Sequence, residues 1–144
     1  MIYETQADKD NEMKAMNAIA QYYTDIQLLP KFSPYDYYGR TYDGEDHLIE
    51  YKRRNFTKER FPTVMIPAEK YVNLMTHANL LGCRPIYLVE WDNGLAWREL
   101  TRLVEGEYKE ICKRAGREPQ LVVHLKTSSF LPVKPQHNYT FNGS

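Results

Sequence analysis

Cysteine is scarce in this chain. Cys83 and Cys112 are the only two among 144 residues and lack the paired spacing of a zinc site, which leaves two reduced thiols in a protein expected to be cytoplasmic. Net charge is lacking too: nineteen basic residues meet nineteen acidic ones, so no overall field attracts nucleic acid to the whole surface. No apolar run approaches the roughly 18 residues of a membrane span, and Met1-Ile2-Tyr3-Glu4 lacks the charged and apolar regions of a signal peptide. The expectation is an intracellular protein without a membrane partner. Internal repeats and low-complexity tracts are also absent.

What is present is aromatic and ordered. Twelve tyrosines and a hydrophobic content of 42% fit a folded chain, and 144 residues suffice for one buried core but leave no room for a second. A single domain over 1–136 is expected, with a polar, flexible tail over 137–144.

Residues from Thr5 to Tyr23 read as an amphipathic helix with Met13, Met16, Ile19, Ala20 and Tyr23 on one arc. Glu12 falls inside that arc, where a carboxylate is costly unless it is paired or holds a cation; at the rim it would simply reach water. Asp8 and Glu4 are lesser substitutes. Strands are expected at 35–38 and 47–52, and Thr63-Val64-Met65-Ile66, between two prolines, reads as the third. Pro67 opens a helix that runs to Leu81 and stops at Gly82. Arg84 to Trp91 is a strand, and Asp92-Asn93-Gly94 turns it into Leu95 to Arg102. A short helix over 103–116 and a last strand over 121–125 follow. Strands that alternate with helices imply a sheet with helices packed on it, an α/β fold.

The chemistry concentrates in Pro34-Tyr35-Asp36 and, thirteen residues on, Glu50-Tyr51-Lys52. Magnesium takes hard oxygen ligands, usually one or two carboxylates with water and phosphate, so an acid from each of two neighbouring strands makes a partial shell. Glu50 and Lys52 lie two apart on a strand and share a face. Whether Asp36 joins them depends on the turn at Tyr42-Asp43-Gly44. A two-residue turn sets Asp36 opposite Tyr51, whereas a three-residue loop with Gly44 in the left-handed conformation sets it opposite Glu50. An active site therefore requires the odd-length loop or a bulge. Without one, the three residues are a surface hairpin with an ion pair of little energetic weight.

This constellation resembles the PD-(D/E)XK nuclease superfamily, although Tyr35 separates Pro34 from Asp36 where the motif's name joins them. The resemblance covers about residues 5 to 102. It implies a central mixed β-sheet flanked by helices, a restriction-endonuclease-like core of α-β-β-β-α-β order, and a magnesium-dependent deoxyribonuclease in which manganese substitutes. It implies catalytic roles for Asp36, Glu50 and Lys52, and metal ligation by Asp36, Glu50, the backbone carbonyl of Tyr51, and Glu12 from the preceding helix. Lys70 on the second helix would assist near the phosphate; Asn73 and His77 share its polar stripe. Small members of the superfamily include phage endonucleases and four-way-junction resolvases, which act as homodimers. A non-catalytic nucleic-acid-binding or assembly module on the same fold is the competing reading. Retained carboxylates argue against it, because binding phosphate gains nothing from them.

DNA contacts are expected from the basic run that begins at Lys52 and continues through Arg53, Arg54, Lys58 and Arg60, with Glu59 as the one acid among them. Such contacts hold the phosphate backbone without reading sequence.

Overall fold

The computed structural model describes residues 6–30, 33 and 35–134. Glu4, Pro34 and the expected tail lie outside them.

Helix α1, Gln6–Ile19, is followed by a short 3-10 turn at Ala20–Tyr22 and then by β1, Tyr23–Leu28. This is the first correction: the helix ends before Tyr23, and a strand stands where only a loop was expected. Met13 also leaves the apolar arc and is 54% exposed, whereas Ala15, Met16 and Ile19 are buried. Strand β2, Tyr37–Thr41, forms an antiparallel hairpin with β3, Asp46–Arg53.

The segment Thr63–Pro67 forms β4, but not as the third strand of the main sheet. It pairs instead with β8, Gln120–Lys126, in a separate three-stranded sheet whose third strand is β7, Tyr108–Cys112, in the order β4-β8-β7. Helix α2 covers Ala68–Leu81, with Pro67 at its N-cap and Gly82 in the left-handed conformation, φ 71°, at its C-cap. Strands β5, Arg84–Trp91, and β6, Gly94–Glu99, make the expected hairpin. The expected helix over 103–116 is absent. Its place is taken by a turn and β7, Tyr108–Cys112, which pairs antiparallel with β8. A two-residue strand β9, Leu131–Pro132, closes the edge of the main sheet.

The main sheet has six strands in the order β1-β2-β3-β5-β6-β9 and is mixed: β3 and β5 run parallel, their neighbours antiparallel. The chain between β3 and β5 supplies β4 and α2, the long crossover that a parallel pair requires. Two apolar clusters sandwich the sheet. On one face Ile49, Tyr51, Ile86 and Leu88 meet Ala15, Met16 and Ile19 of α1. On the other, Leu48, Tyr87, Val89 and Trp91 meet Tyr71, Leu74 and Ala78 of α2, together with Val64, Ile66, Val123 and Leu125 of the small sheet. This is the α/β architecture with a central mixed sheet flanked by helices, and α1, β1, β2, β3, α2 and β5 supply its α-β-β-β-α-β order. Among the described residues, no helix is long and apolar enough to cross a membrane.

Candidate active site

The register of the β2–β3 hairpin decides whether a site exists. Tyr37 pairs with Ile49, Tyr38 with Leu48, Gly39 with His47 and Arg40 with Asp46. Continued by one residue, that register sets Asp36 opposite Glu50. The loop that produces it has three residues, Tyr42, Asp43 and Gly44, flanked by Thr41, whose amide donates to the Glu45 carbonyl at 2.8 Å. Gly44 takes φ 89°, a conformation a side chain would strain. The odd-length alternative is thus the one adopted. Asp36 is then fixed on β3 by two hydrogen bonds. Its own amide donates to the Ile49 carbonyl at 3.1 Å, and its Oδ2 accepts the Tyr51 amide at 2.9 Å.

Alternation along β3 sends Leu48, Glu50 and Lys52 toward the α2 side, and Ile49 and Tyr51 toward α1. Glu50 is 5% exposed, a burial that a carboxylate tolerates only with partners. Lys70, one turn into α2, supplies one: its Nζ donates to Glu50 Oε2 at 2.8 Å. Burial, reinforced by the negative charge of Asp36, nonetheless pushes the Glu50 carboxyl up to about 7, with the Lys70 and Lys52 ammonium groups opposing the rise. Burial also opposes the charge on Lys70, but the hydrogen bond to Glu50 and the field of Asp36 outweigh it and raise its pKa. Lys52 moves the other way. Partial burial, then the nearby cations Arg54 and Lys70, hold its ammonium below the usual lysine range.

A buried carboxylate whose proton affinity is raised further by an acidic neighbour, beside a half-desolvated lysine, forms an arrangement that a divalent cation would relieve. The donors fit a hard ion: carboxylate oxygens of Asp36 and Glu50, with the Tyr51 carbonyl between Glu50 and Lys52 on β3. Among the described residues, no group of three or more His, Cys, Asp or Glu side chains gathers in a way that could hold a metal ion. Glu12, expected as a helical ligand, lies on α1. Its Oε2 accepts the Tyr37 hydroxyl at 2.5 Å, and Tyr37 belongs to the cluster on the α1 face.

The basic run divides in the same way. Arg54 lies close enough to act on the Lys52 ammonium, and its Nη2 donates to the Met65 carbonyl at 2.7 Å. Arg53 is turned to the other face, where its guanidinium binds the Trp91 carbonyl at 3.0 Å and the Asp92 carboxylate at 2.6 Å. Lys58 reaches the Phe130 carbonyl at 3.2 Å, and Arg60 lies over the Phe61 ring. These three brace the β3–β4 link rather than line the carboxylate pair. Lys70, ranked behind the basic run from sequence, is the cation in direct contact with the site. His77, on the same polar stripe, packs edge-on against Tyr35.

A family model described as "phage putative PDDEXK endonuclease" matches residues 1–133. The chain belongs to this family. Glu50 and Lys52 lie on β3 of this chain, and Asp36 immediately precedes β2. No curated relative matches the chain. Among solved structures, the PDDEXK chain is similar in fold to Archaeoglobus fulgidus Hjc, a Holliday junction resolvase from an archaeal hyperthermophile, with a TM-score of 0.56 and 13% identity over 90% of this chain and 91% of that one.

Proposed function

We propose that this PDDEXK endonuclease hydrolyses phosphodiester bonds in DNA with bound Mg²⁺, which Mn²⁺ replaces, and that Asp36, Glu50 and Lys52 carry the reaction. The observation behind this reading is the hairpin register that brings Asp36 beside Glu50 with Lys52 on the same face. Asp36, Glu50 and the Tyr51 carbonyl would hold the ion, which when bound would acidify water and polarise phosphate. The Tyr51 amide orients Asp36 through its hydrogen bond to Oδ2. Lys52, held below the usual lysine range, takes up a proton from the attacking water or stabilises negative charge that develops on phosphate. Lys70, hydrogen-bonded to Glu50, favours the charged form of that carboxylate against the effect of burial.

The Hjc likeness favours a second reading inside the same chemistry, a homodimer that cuts four-way junctions with two sites related by a two-fold axis. Plasmid nicking and four-way-junction cleavage, each with Mg²⁺ or EDTA, test both at once. Activity should require the ion, and Asp36→Ala, Glu50→Ala and Lys52→Ala should each lower it by about 10²-fold or more in a folded protein. Paired symmetric incisions confined to junctions select the resolvase. Wild-type rates in any of the three variants refute the site.

A further inference from the structure

A cleft of about 200 Å³ is lined by Lys52, the lysine that shares a face of β3 with Glu50. Lys52 and Arg54 form one wall, and Arg114 and Arg117, from the turn between β7 and β8, form the other. Glu118 is the one acid that lines it. None of the four cations lies within ion-pair distance of a described carboxylate, although Arg40, Arg53, Arg84 and Arg98 elsewhere in the chain all do. Arg54 is held in place by the Met65 carbonyl rather than by an acid. Four positive charges therefore converge on one concavity in a chain whose formal charges otherwise cancel. Such an arrangement carries like-charge repulsion that an anion removes.

Continuity with the active site identifies the anion. Lys52 belongs to both places, so whatever fills the cleft approaches the ion site from the β7–β8 side. A phosphodiester backbone, with a charge on every nucleotide, meets this requirement: one phosphate at Asp36 and Glu50 leaves a neighbouring one at the cleft. The bidentate guanidinium groups of Arg54, Arg114 and Arg117 suit phosphate oxygens.

Resting on the nuclease reading above, we propose that the Lys52–Arg54–Arg114–Arg117 cleft is a backbone-phosphate subsite, and that the β7–β8 turn carries the nucleic acid past the active site. These contacts position the strand and read no bases.

The test replaces Arg114 and Arg117 together by Gln, because neither touches the carboxylate pair. Binding of a duplex and of a four-way junction is measured in Ca²⁺ over a range of salt. The double variant should bind both more weakly, with the slope of log affinity against log salt reduced by about two units. Lys9→Gln with Lys14→Gln removes equal charge from α1, on the opposite face of the sheet, and should leave the slope unchanged. Unaltered affinity and slope, or an equal loss in the α1 control, overturns the subsite while leaving the nuclease reading intact. Failure of the wild-type protein to cleave DNA overturns that reading instead, and wild-type binding that lacks salt dependence removes both.

Discussion

Glu50 is the residue on which stability and function conflict. Its folded-state pKa, about 7 against an ordinary value of 4.5, means that the folded protein holds a proton between those pH values that the unfolded chain has lost. The sign follows from proton linkage: the unfolded state binds fewer protons in that window, so this group's contribution to stability declines as pH rises from 4.5 to 7. The difference corresponds to roughly 3 kcal/mol at about 1.4 kcal/mol per pKa unit. Glu50→Gln keeps the shape and removes the titration. In EDTA at pH 8 the Gln variant should therefore melt higher than the wild type, and the two should converge near pH 4.5. Melting curves across that range check it, and a Gln variant less stable than wild type at pH 8 would contradict the account. The same substitution should abolish cleavage. Asp36, Glu50 and Lys52 were legible in the sequence as residue types at a spacing, but the shared face was not, because a one-residue change in the loop decides it. The sequence left two outlets for Glu12, an acid on an apolar arc, and did not reveal the tyrosine hydroxyl that donates to it.

At the scale of elements, legibility followed burial. Helix α2, with its Pro67 and Gly82 boundaries, and the β5–β6 hairpin, with its long apolar run, were readable in full, since both faces of β5 are covered and its residues had to be apolar. The three strands that were missed, β1, β7 and the two-residue β9, are outer strands of their sheets, and every residue of β7 except Cys112 is exposed. An edge strand with wet faces carries no alternation to read. What fixes the β6–β7 link in place of a helix is Glu107. Its carboxylate accepts the amides of Val104 and Lys126 and is forked by the Arg98 guanidinium, with the two side chains 0% and 7% exposed. Burial raises its pKa, but the Arg98 hydrogen bond and the two amides prevail and hold it below the usual carboxylate range. Glu107→Gln leaves the Arg98 charge buried without its counter-ion and should cost about 3–5 kcal/mol. The urea midpoint should fall accordingly; a loss under about 1 kcal/mol would mean that the pair is not what holds β7 to the main sheet.

Over the whole molecule, the hairpin that bears the site also joins the two halves of the core. Alternate residues of β3 enter the α1 cluster and the α2 cluster, while Asp36 stands just outside β2 and reaches across to the Tyr51 amide. An ion held by Asp36 and Glu50 would tie the entry to β2 to the middle of β3 and offset both the burial and the Asp36 charge that raise the Glu50 pKa. Its binding energy would therefore add to global stability instead of tightening a local loop. A ligand that binds only the folded state stabilises it by about 2.7 kcal/mol at a hundred times its dissociation constant. For a chain of this length that is a rise of roughly 5–10 °C in melting temperature. Titration with Mn²⁺ should show this rise, and Asp36→Ala should remove it while leaving the EDTA melting temperature within a few degrees of wild type. The rise should also shrink as pH falls below 7, because the ion must then displace the proton that Glu50 holds. Calcium should act in the same direction through the same oxygens. A melting temperature indifferent to saturating Mn²⁺ at pH 8, or an equal rise in Asp36→Ala, would separate the carboxylate pair from metal binding and leave Lys70 as its lasting counter-charge.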